Sequence, residues 1–396
     1  MKRIAIFCDG TWNRDDAPHP TNVVRMAQAV KLTAADGRKQ QVIYQRGVGS
    51  GQGSNAFSRK LDKLGGGIFG WGLTTNIESV YRDLVFCYEP GDEVFIFGFS
   101  RGAYTARSLA GLIRSCGIPP RDTVGDIHLA IARYRSRDPR THPDDPNSFL
   151  FRRQFSPFVA TSQSEYNWRI ATDPHPCEVF KLAYLGVWDT VGALGVPGFL
   201  AVAPIFNKKH QFHDTALSRS VASARHAVAI DERRRTFPPA LWDNLDRLNR
   251  LAHDLDEDTP LDPATRPAWP YRQEWFPGDH GSVGGGGERD GLSAATFAWI
   301  AEGAAQAGLD MRPEKLAAVA GNLNVREALI NTASAGLAKR ALRMLSRDRD
   351  GPENPVNVAE FTTERLKCDA SYRPPTLRRV IDAIQRALGE DPLTPH

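Results

Sequence analysis

Short runs of consecutive apolar residues alternate along this chain with stretches whose apolar positions recur at helical spacing. Ile4-Ala5-Ile6-Phe7-Cys8 is unbroken until Asp9-Gly10, the pattern of a strand covered on both faces and stopped by a turn. Helical spacing follows over Val23 to Leu32, then a strand-like Gln41-Val42-Ile43-Tyr44-Gln45. A glycine-dense stretch from Gly47 to Gly72 leads into a helical segment over Ile77 to Tyr88, a third strand at Glu93 to Gly98 and a helix over Ala103 to Ile113. Val179 to Val187 reads as another strand, halted at Trp188-Asp189. This alternation predicts an α/β fold: a mostly parallel sheet with helices on both faces and ligands at the carboxyl ends of its strands.

Between Ile118 and Pro176 the alternation gives way to Arg- and Pro-rich text carrying Phe149, Phe151, Phe155, Phe158, Tyr166 and Trp168. The segment 118–176 reads as an insertion over the sheet, either a helical excursion with its own small core or a lid lining an apolar pocket. Leu255 to Pro270 reads as a long loop, Gly291 to Gly308 as a helix, and residues 311–396 as a mainly helical extension. No fixed repeat is visible, which excludes a solenoid or propeller. A single decorated domain over 1–396 accommodates all of this.

Composition narrows the classes. Against 50 Lys+Arg stand 46 Asp+Glu, a net charge of +4 that excludes a polyelectrolyte, and with no recognition motif present no nucleic-acid partner is expected. At 41% hydrophobic and 24% charged, the chain is neither disordered nor a disulfide scaffold. Cys8, Cys87, Cys116, Cys177 and Cys368 are odd in number and lack CxxC spacing, so no zinc site is expected and a reducing compartment with mostly buried thiols is. The apolar N-terminal run is too short for a Sec signal, and no stretch approaches the ~20 apolar residues that span a bilayer. The expected location is cytoplasmic, with membrane contact limited to the periphery. Arg133, Arg135, Arg137, Arg140, Arg152 and Arg153 read as a solvated basic face or as an attraction for anionic headgroups.

Gly98-Phe99-Ser100-Arg101-Gly102 is a GxSxG pentapeptide set between a strand and an Ala-rich helix. In that setting it reads as a nucleophile elbow: a crowded turn flanked by small glycines, with the Arg101 N–H at the helix N-terminus as an oxyanion donor. A second donor is expected from Asp9-Gly10-Thr11, where Gly10 and Thr11 lie on the loop after the first strand. A serine needs a base, and the base an orienting acid. His280, followed by the small-residue run Gly281 to Gly287, is the best placed of ten histidines, and Asp189 stands at the end of a strand on the rim that carries Ser100. His226 reads as a packed or helix-end histidine, Asp231 as the rival acid or an ion-pair partner of the arginines behind it, and Asp279 as too close in sequence to orient His280. A phosphatase-type reading of Asp9-Gly10-Thr11 fails because Phe7 stands where that chemistry needs an aspartate, and Gly47 to Gly51 lacks the ending of a phosphate-binding loop.

These residues resemble a known family, the α/β-hydrolase catalytic domains of type VI secretion phospholipase effectors with their uncharacterised bacterial and fungal relatives. The likeness lies in Phe7 to Asn13, Gly91 to Gly111, Gly186 to Val191, Arg225 to Arg234 and Trp275 to Gly286; Gly281, Ser282 and Gly287 depart from the family's HSDVGGGY. It implies an α/β-hydrolase fold, a catalytic set at Ser100, Asp189 and His280, hydrolysis of phospholipid acyl esters, and non-classical export. The resulting expectation is a serine hydrolase of lipid or acyl esters that needs no metal or diffusible cofactor, its protein partners undefined. Two alternatives stand beside it: a patatin-like Ser-Asp dyad using Gly65-Gly66-Gly67 and Asp290-Gly291, and a non-catalytic lipid-binding module on the same fold.

Overall fold

The computed structural model describes residues 1–10, 16–47, 68–172, 175–192, 216–235, 237–330 and 346–389. Its strands are β1 (Arg3–Cys8), β2 (Gln40–Gln45), β3 (Glu93–Phe99), β4 (Val159–Ala160), β5 (Glu178–Val179), β6 (Tyr184–Trp188), β7 (Ala224–Ala229) and β8 (Tyr271–Phe276). Six of them form one sheet in the order β2-β1-β3-β6-β7-β8, every neighbouring pair parallel. Alternation along each strand divides the core. Ile4, Ile6, Val94 and Ile96 face the helices Ile68–Cys87 and Arg101–Cys116, whereas Ala5, Phe7, Phe95, Phe97 and Phe99 face Asn22–Ala29 and Gly291–Gln306. The fold is therefore α/β, with the parallel sheet that the strand and helix pattern predicts. Between β1 and β3 the strand order reverses, and at such a crevice open α/β sheets hold their ligands.

Several elements differ from the sequence reading. The apolar run Val179 to Val187 is two strands in two sheets: Val179 pairs with Ala160, and Tyr184–Trp188 enters the main sheet beside β3. β7 and β8 are concealed in sequence by charged and polar residues, which the fold pairs. Arg225 meets Glu302 at 2.7 Å, His226 Nδ1 meets Gln273 Oε1 at 2.9 Å, and Glu274 lies 2.6 Å from both Arg266 and Arg272. The thiols are less buried than expected, with Cys8 and Cys116 inside, Cys87 and Cys177 half-buried and Cys368 exposed.

The insertion joins the main core instead of building its own, since Phe151 and Phe155 pack against the cluster under the Arg101–Cys116 helix. Arg152 donates to the Ser115 carbonyl at 3.0 Å, the Cys116 thiol meets the Ala130 carbonyl at 3.5 Å, and Tyr134 lies against Gly111. These contacts fasten the insertion to the half of that helix remote from Ser100. Its arginines are not a uniform solvated face: Arg152 is fully buried against Glu165, Arg133 stacks over Phe151, and Arg140 pairs with Asp138. Beyond Met311 the described residues contain the α-helices Pro313–Ala320, Glu360–Cys368 and Ile381–Ala387 and the 3₁₀ turns Pro355–Asn357 and Pro375–Leu377, joined by turns and irregular chain. Pro313, Pro355 and Pro375 each stand at the start of one of these helical turns, where a missing N–H costs no internal bond. This extension covers the β7–β8 edge, where Val358, Leu366, Tyr372 and Leu377 bury Val228, Ile230 and Trp275.

Candidate active site

Ser100 links β3 to the helix Arg101–Cys116 with φ 59° and ψ −124°, a conformation that L-residues avoid at a cost of roughly 1–3 kcal/mol. The flanking glycines make the turn feasible. A Cβ on Gly98 would fall 2.5 Å from the Gly102 carbonyl oxygen, and one on Gly102 would fall 2.1 Å from the Cys8 carbonyl oxygen. The elbow is thus pressed against the end of β1, in the crevice where the strand order reverses. Its serine stands at the N-terminus of a 16-residue helix, where the first N–H groups and the helix dipole favour negative charge.

Phe99 and Trp188 are register partners, so Ser100 and Asp189 leave neighbouring strands at matched positions, and the Ser100 N–H donates to the Trp188 carbonyl at 3.1 Å. Asp189 is fully buried and has φ 35°; it, Ser100 and Asp254 are the non-glycine residues with positive φ among the described residues. Backbone strain therefore concentrates at two of the predicted site positions. His280 follows β8 and reaches back across β7, placing Nδ1 2.6 Å from Asp189 Oδ2. Because an ionised carboxylate only accepts, this bond holds the proton on Nδ1 and leaves Nε2 as the basic nitrogen. The imidazole is packed between two rings: Phe99, the residue before Ser100, at 4.6 Å between centroids, and Phe237, edge-on at 4.9 Å. Although a small-residue run follows it, His280 opens the short helix His280–Gly284, capped by Asp279, which accepts from the Ser282 N–H at 2.9 Å.

Asp189 has a further partner that the sequence did not disclose. Arg349, from the C-terminal extension, donates through Nη1 to Oδ1 at 2.6 Å and through Nη2 to Oδ2 at 3.0 Å. The Ala229 N–H adds a bond to Oδ1 at 2.9 Å. Burial alone would push this carboxyl up; the Arg349 guanidinium and the His280 imidazole outweigh it and hold Asp189 well below the ordinary carboxylate range. Nothing in Ser346-Arg347-Asp348-Arg349-Asp350 distinguishes it from a solvated run of alternating charge, and Phe237 likewise carries no local signal.

The competing residues have other duties. His226 lies buried in β7, its Nε2 accepting from the Thr190 N–H at 3.1 Å, and burial together with nearby Arg107 pushes it down to about 3. Asp231 is not paired with the arginines behind it. It accepts from the Gly278 N–H at 2.7 Å and the Tyr372 hydroxyl at 2.9 Å, and burial raises its carboxyl, while the pairing expected there is made by Glu232 and Arg234 at 2.7 Å. Asp290, the acid of the dyad alternative, forms an ion pair with Arg25 at 3.0 Å and accepts from Asn322 at 3.0 Å. Asp9 is buried, accepting from Thr21 at 2.9 Å and Tyr44 at 2.7 Å, while its Oδ1 takes the Gly10 N–H at 2.7 Å. In this conformation, then, the Gly10 N–H expected to bind an oxyanion is held by Asp9. Thr11 and Gly65 to Gly67 lie outside the described residues.

A cleft of about 1050 Å³ lies between the insertion and the helix Leu245–Ala252, lined by residues such as Arg133, Tyr134, Arg137 and Arg247, and none of Ser100, Asp189 and His280 lines it. Among the described residues no group of histidine, cysteine and acidic side chains is arranged to hold a metal, and no helix is long and apolar enough to cross a membrane.

A parallel α/β sheet with a strained serine after β3 and an Asp-His pair at the ends of β6 and β8 defines the α/β-hydrolase class. Within it, the chain belongs to the family of T6SS phospholipase effector Tle1-like catalytic domains, whose model matches residues 2–303. It is 29% identical over 244 residues to the uncharacterized protein YEL023C of Saccharomyces cerevisiae, covering 60% of this chain and 32% of that one. Two solved structures are similar: an uncharacterized protein from Pseudomonas aeruginosa (19% identity, TM-score 0.39, 86% of this chain and 52% of that one) and the Tle1 effector bound to the VgrG spike of the type 6 secretion system (15%, 0.35, 72% and 51%). The chain thus spans about a third of the yeast relative and about half of each solved chain.

Proposed function

We propose that this protein is a serine hydrolase that cleaves carboxylic acyl esters of phospholipids or other lipids, with Ser100 as nucleophile, His280 as base and then acid, and Asp189 orienting the imidazole. The observation that carries the reading is the 2.6 Å bond from His280 Nδ1 to a buried Asp189, beside a serine held at φ 59° between strand and helix. Membership of a phospholipase effector family supports the substrate class.

As Ser100 Oγ bonds to the ester carbonyl carbon, its proton passes to His280 Nε2 and the carbonyl electrons move onto oxygen. The oxyanion is stabilised by the Arg101 N–H and by a donor from the Gly10-Thr11 turn, which for Gly10 requires release from the Asp9 carboxylate. Collapse breaks the acyl–oxygen bond. The alcohol leaves with the proton from His280, giving acyl-Ser100; water then attacks the acyl carbon with its proton going to His280, the acyl–Oγ bond breaks as His280 returns that proton to Ser100 Oγ, and the acid departs. Asp189, kept ionised, stabilises the imidazolium formed in both halves. No metal or diffusible cofactor enters these steps. Peripheral membrane contact and export by a type VI route go with this reading.

The test is hydrolysis of defined phospholipids and short acyl esters by wild type and Ser100→Ala, with products identified by mass spectrometry. Fatty acid release by wild type alone is expected. Undiminished cleavage by folded Ser100→Ala overturns the proposal, and stable binding of one lipid with no turnover across the panel indicates a non-catalytic module.

A further inference from the structure

We propose that Arg349 is a positioning residue for the reaction, and that the C-terminal segment carrying it belongs to the catalytic unit although it lies beyond the family-matched residues 2–303. The inference rests on the triad reading above.

Asp189 is fully buried, so protein donors orient its two oxygens. Its carboxylate plane is set by four donors: the two Arg349 nitrogens, the Ala229 N–H and His280 Nδ1. Three of these bonds fix the carboxylate and the fourth transmits that orientation to the imidazole. A guanidinium suits this task because its planar fork matches a carboxylate with two parallel bonds. Arg349 is itself tied down, Nη1 also donating to the Ala229 carbonyl at 2.8 Å and Nη2 to the Phe237 carbonyl at 2.9 Å. Phe237 is the residue whose ring packs edge-on against His280, so one guanidinium braces both the acid and a wall of the base's pocket.

The segment has little freedom to leave. The Arg347 N–H donates to the Arg233 carbonyl at 3.0 Å, Asp348 pairs with Arg233 at 2.7 Å, and Arg378 donates to the Arg349 carbonyl at 3.2 Å. Gly351, at φ 76°, lies against Thr376 so closely that a Cβ would fall 1.7 Å from that carbonyl oxygen. Arg349 therefore sits in a strap fixed at both ends.

The fork also sets charge. Besides Asp189 and Arg349, the charged groups around the imidazole are Glu232, which accepts the His280 backbone N–H at 3.3 Å, Arg234 paired with Glu232, and neighbouring Asp279; Asp189 also interacts electrostatically with His226, which Arg107 neighbours. Among them Arg349 is the cation bonded to the triad acid, so removing it makes the proton shared by Asp189 and His280 harder to lose, whichever of the two holds it.

The experiment compares wild type, Arg349→Met, Arg349→Lys and Ser100→Ala on p-nitrophenyl butyrate across pH, with rates normalised to the folded fraction by near-UV circular dichroism. For Arg349→Met, kcat should fall roughly 10- to 100-fold with KM little changed, and the acidic limb of kcat/KM should move up by about one pH unit. Arg349→Lys keeps the charge but loses the fork, so its limb should stay at the wild-type position while kcat is only partly restored. Wild-type kcat and an unmoved limb in Arg349→Met overturn the proposal. Should that variant not fold, full wild-type kcat in Arg349→Lys overturns it equally. Activity retained by Ser100→Ala instead means that the triad reading has failed; an inactive Ser100→Ala with unaffected Arg349 variants means that only the role of Arg349 has.

Discussion

Two fully buried carboxylates, Asp189 at the strand ends and Glu165 in the insertion, show what separates a site from a brace. Glu165 accepts from Arg152 at 2.8 Å, from Arg169 at 2.5 Å and from the Thr161 N–H at 2.9 Å. Both arginines continue into backbone carbonyls, Arg152 at Ser115 and Pro143, Arg169 at Ser156 and Val159. Each donor there is a guanidinium, the Thr161 N–H or the Thr161 hydroxyl, none of which changes protonation state near neutral pH, and the carboxylate rides on a regular helix, Gln163–Thr172. Asp189 uses the same device with one exchange: one arginine remains and an imidazole takes the other place, on a backbone strained at Asp189 and at Ser100. Arginine thus makes a buried carboxylate tolerable in both regions, through a fork across both oxygens at Asp189 and through two separate guanidinium groups at Glu165. What sets Asp189 apart, and what the proposed reaction would use, is a donor that can change protonation state next to backbone strain.

Four substitutions grade the contrast. Asp189→Asn has the largest effect, lowering kcat by roughly 10⁴-fold because the amide favours the wrong imidazole tautomer. It also destabilises the fold by leaving Arg349 without its counter-ion. That stability difference depends on pH with a definite sign. Asp189 titrates lower folded than unfolded, so its contribution is present above the unfolded value of about 4 and is lost as pH falls below it; denaturant titrations of wild type and variant should converge toward acid. Glu165→Gln breaks a buried network and should cost about 3–5 kcal/mol in urea unfolding, while kcat per folded molecule stays at the wild-type value. A matching loss of kcat would erase the distinction between brace and site. Gly102→Ala forces a methyl against the Cys8 and Asp9 carbonyls, a cost of about 1–3 kcal/mol, and should lower kcat by displacing the elbow. Smallest is Arg140→Gln: its pair with Asp138 is exposed, and neither the thermal midpoint nor kcat should change measurably.

The sheet's first half and the elbow were legible because their signals are local. Apolar runs mark β1 and β3, and the glycines of the pentapeptide report the close approach of Gly102 to the end of β1. β7 and β8 were hidden because Arg225, Gln273 and Glu274 break their apolar runs: Arg225 finds Glu302 and Gln273 finds His226 far along the chain, while Glu274 is paired by Arg266 and Arg272 from its own stretch. The Asp-His pair could be nominated from strand-end position and from family resemblance. Arg349 could not, since its role depends on a contact spanning 160 residues and its neighbours are ordinary charges. The insertion misled for a related reason: arginine counts cannot separate solvated guanidinium groups from Arg152, which is wholly enclosed.

Ser100 is proposed to be a nucleophile activated through His280. The direct measurement is labelling of the folded protein by a fluorophosphonate ester, with the modified residue located by peptide mass spectrometry and the rate compared between wild type and His280→Ala. A single adduct on Ser100 is expected, formed at least about 100-fold more slowly in His280→Ala, on the order of what loss of a general base costs. An unlabelled Ser100 in folded wild type, or labelling at the same rate without His280, would contradict it.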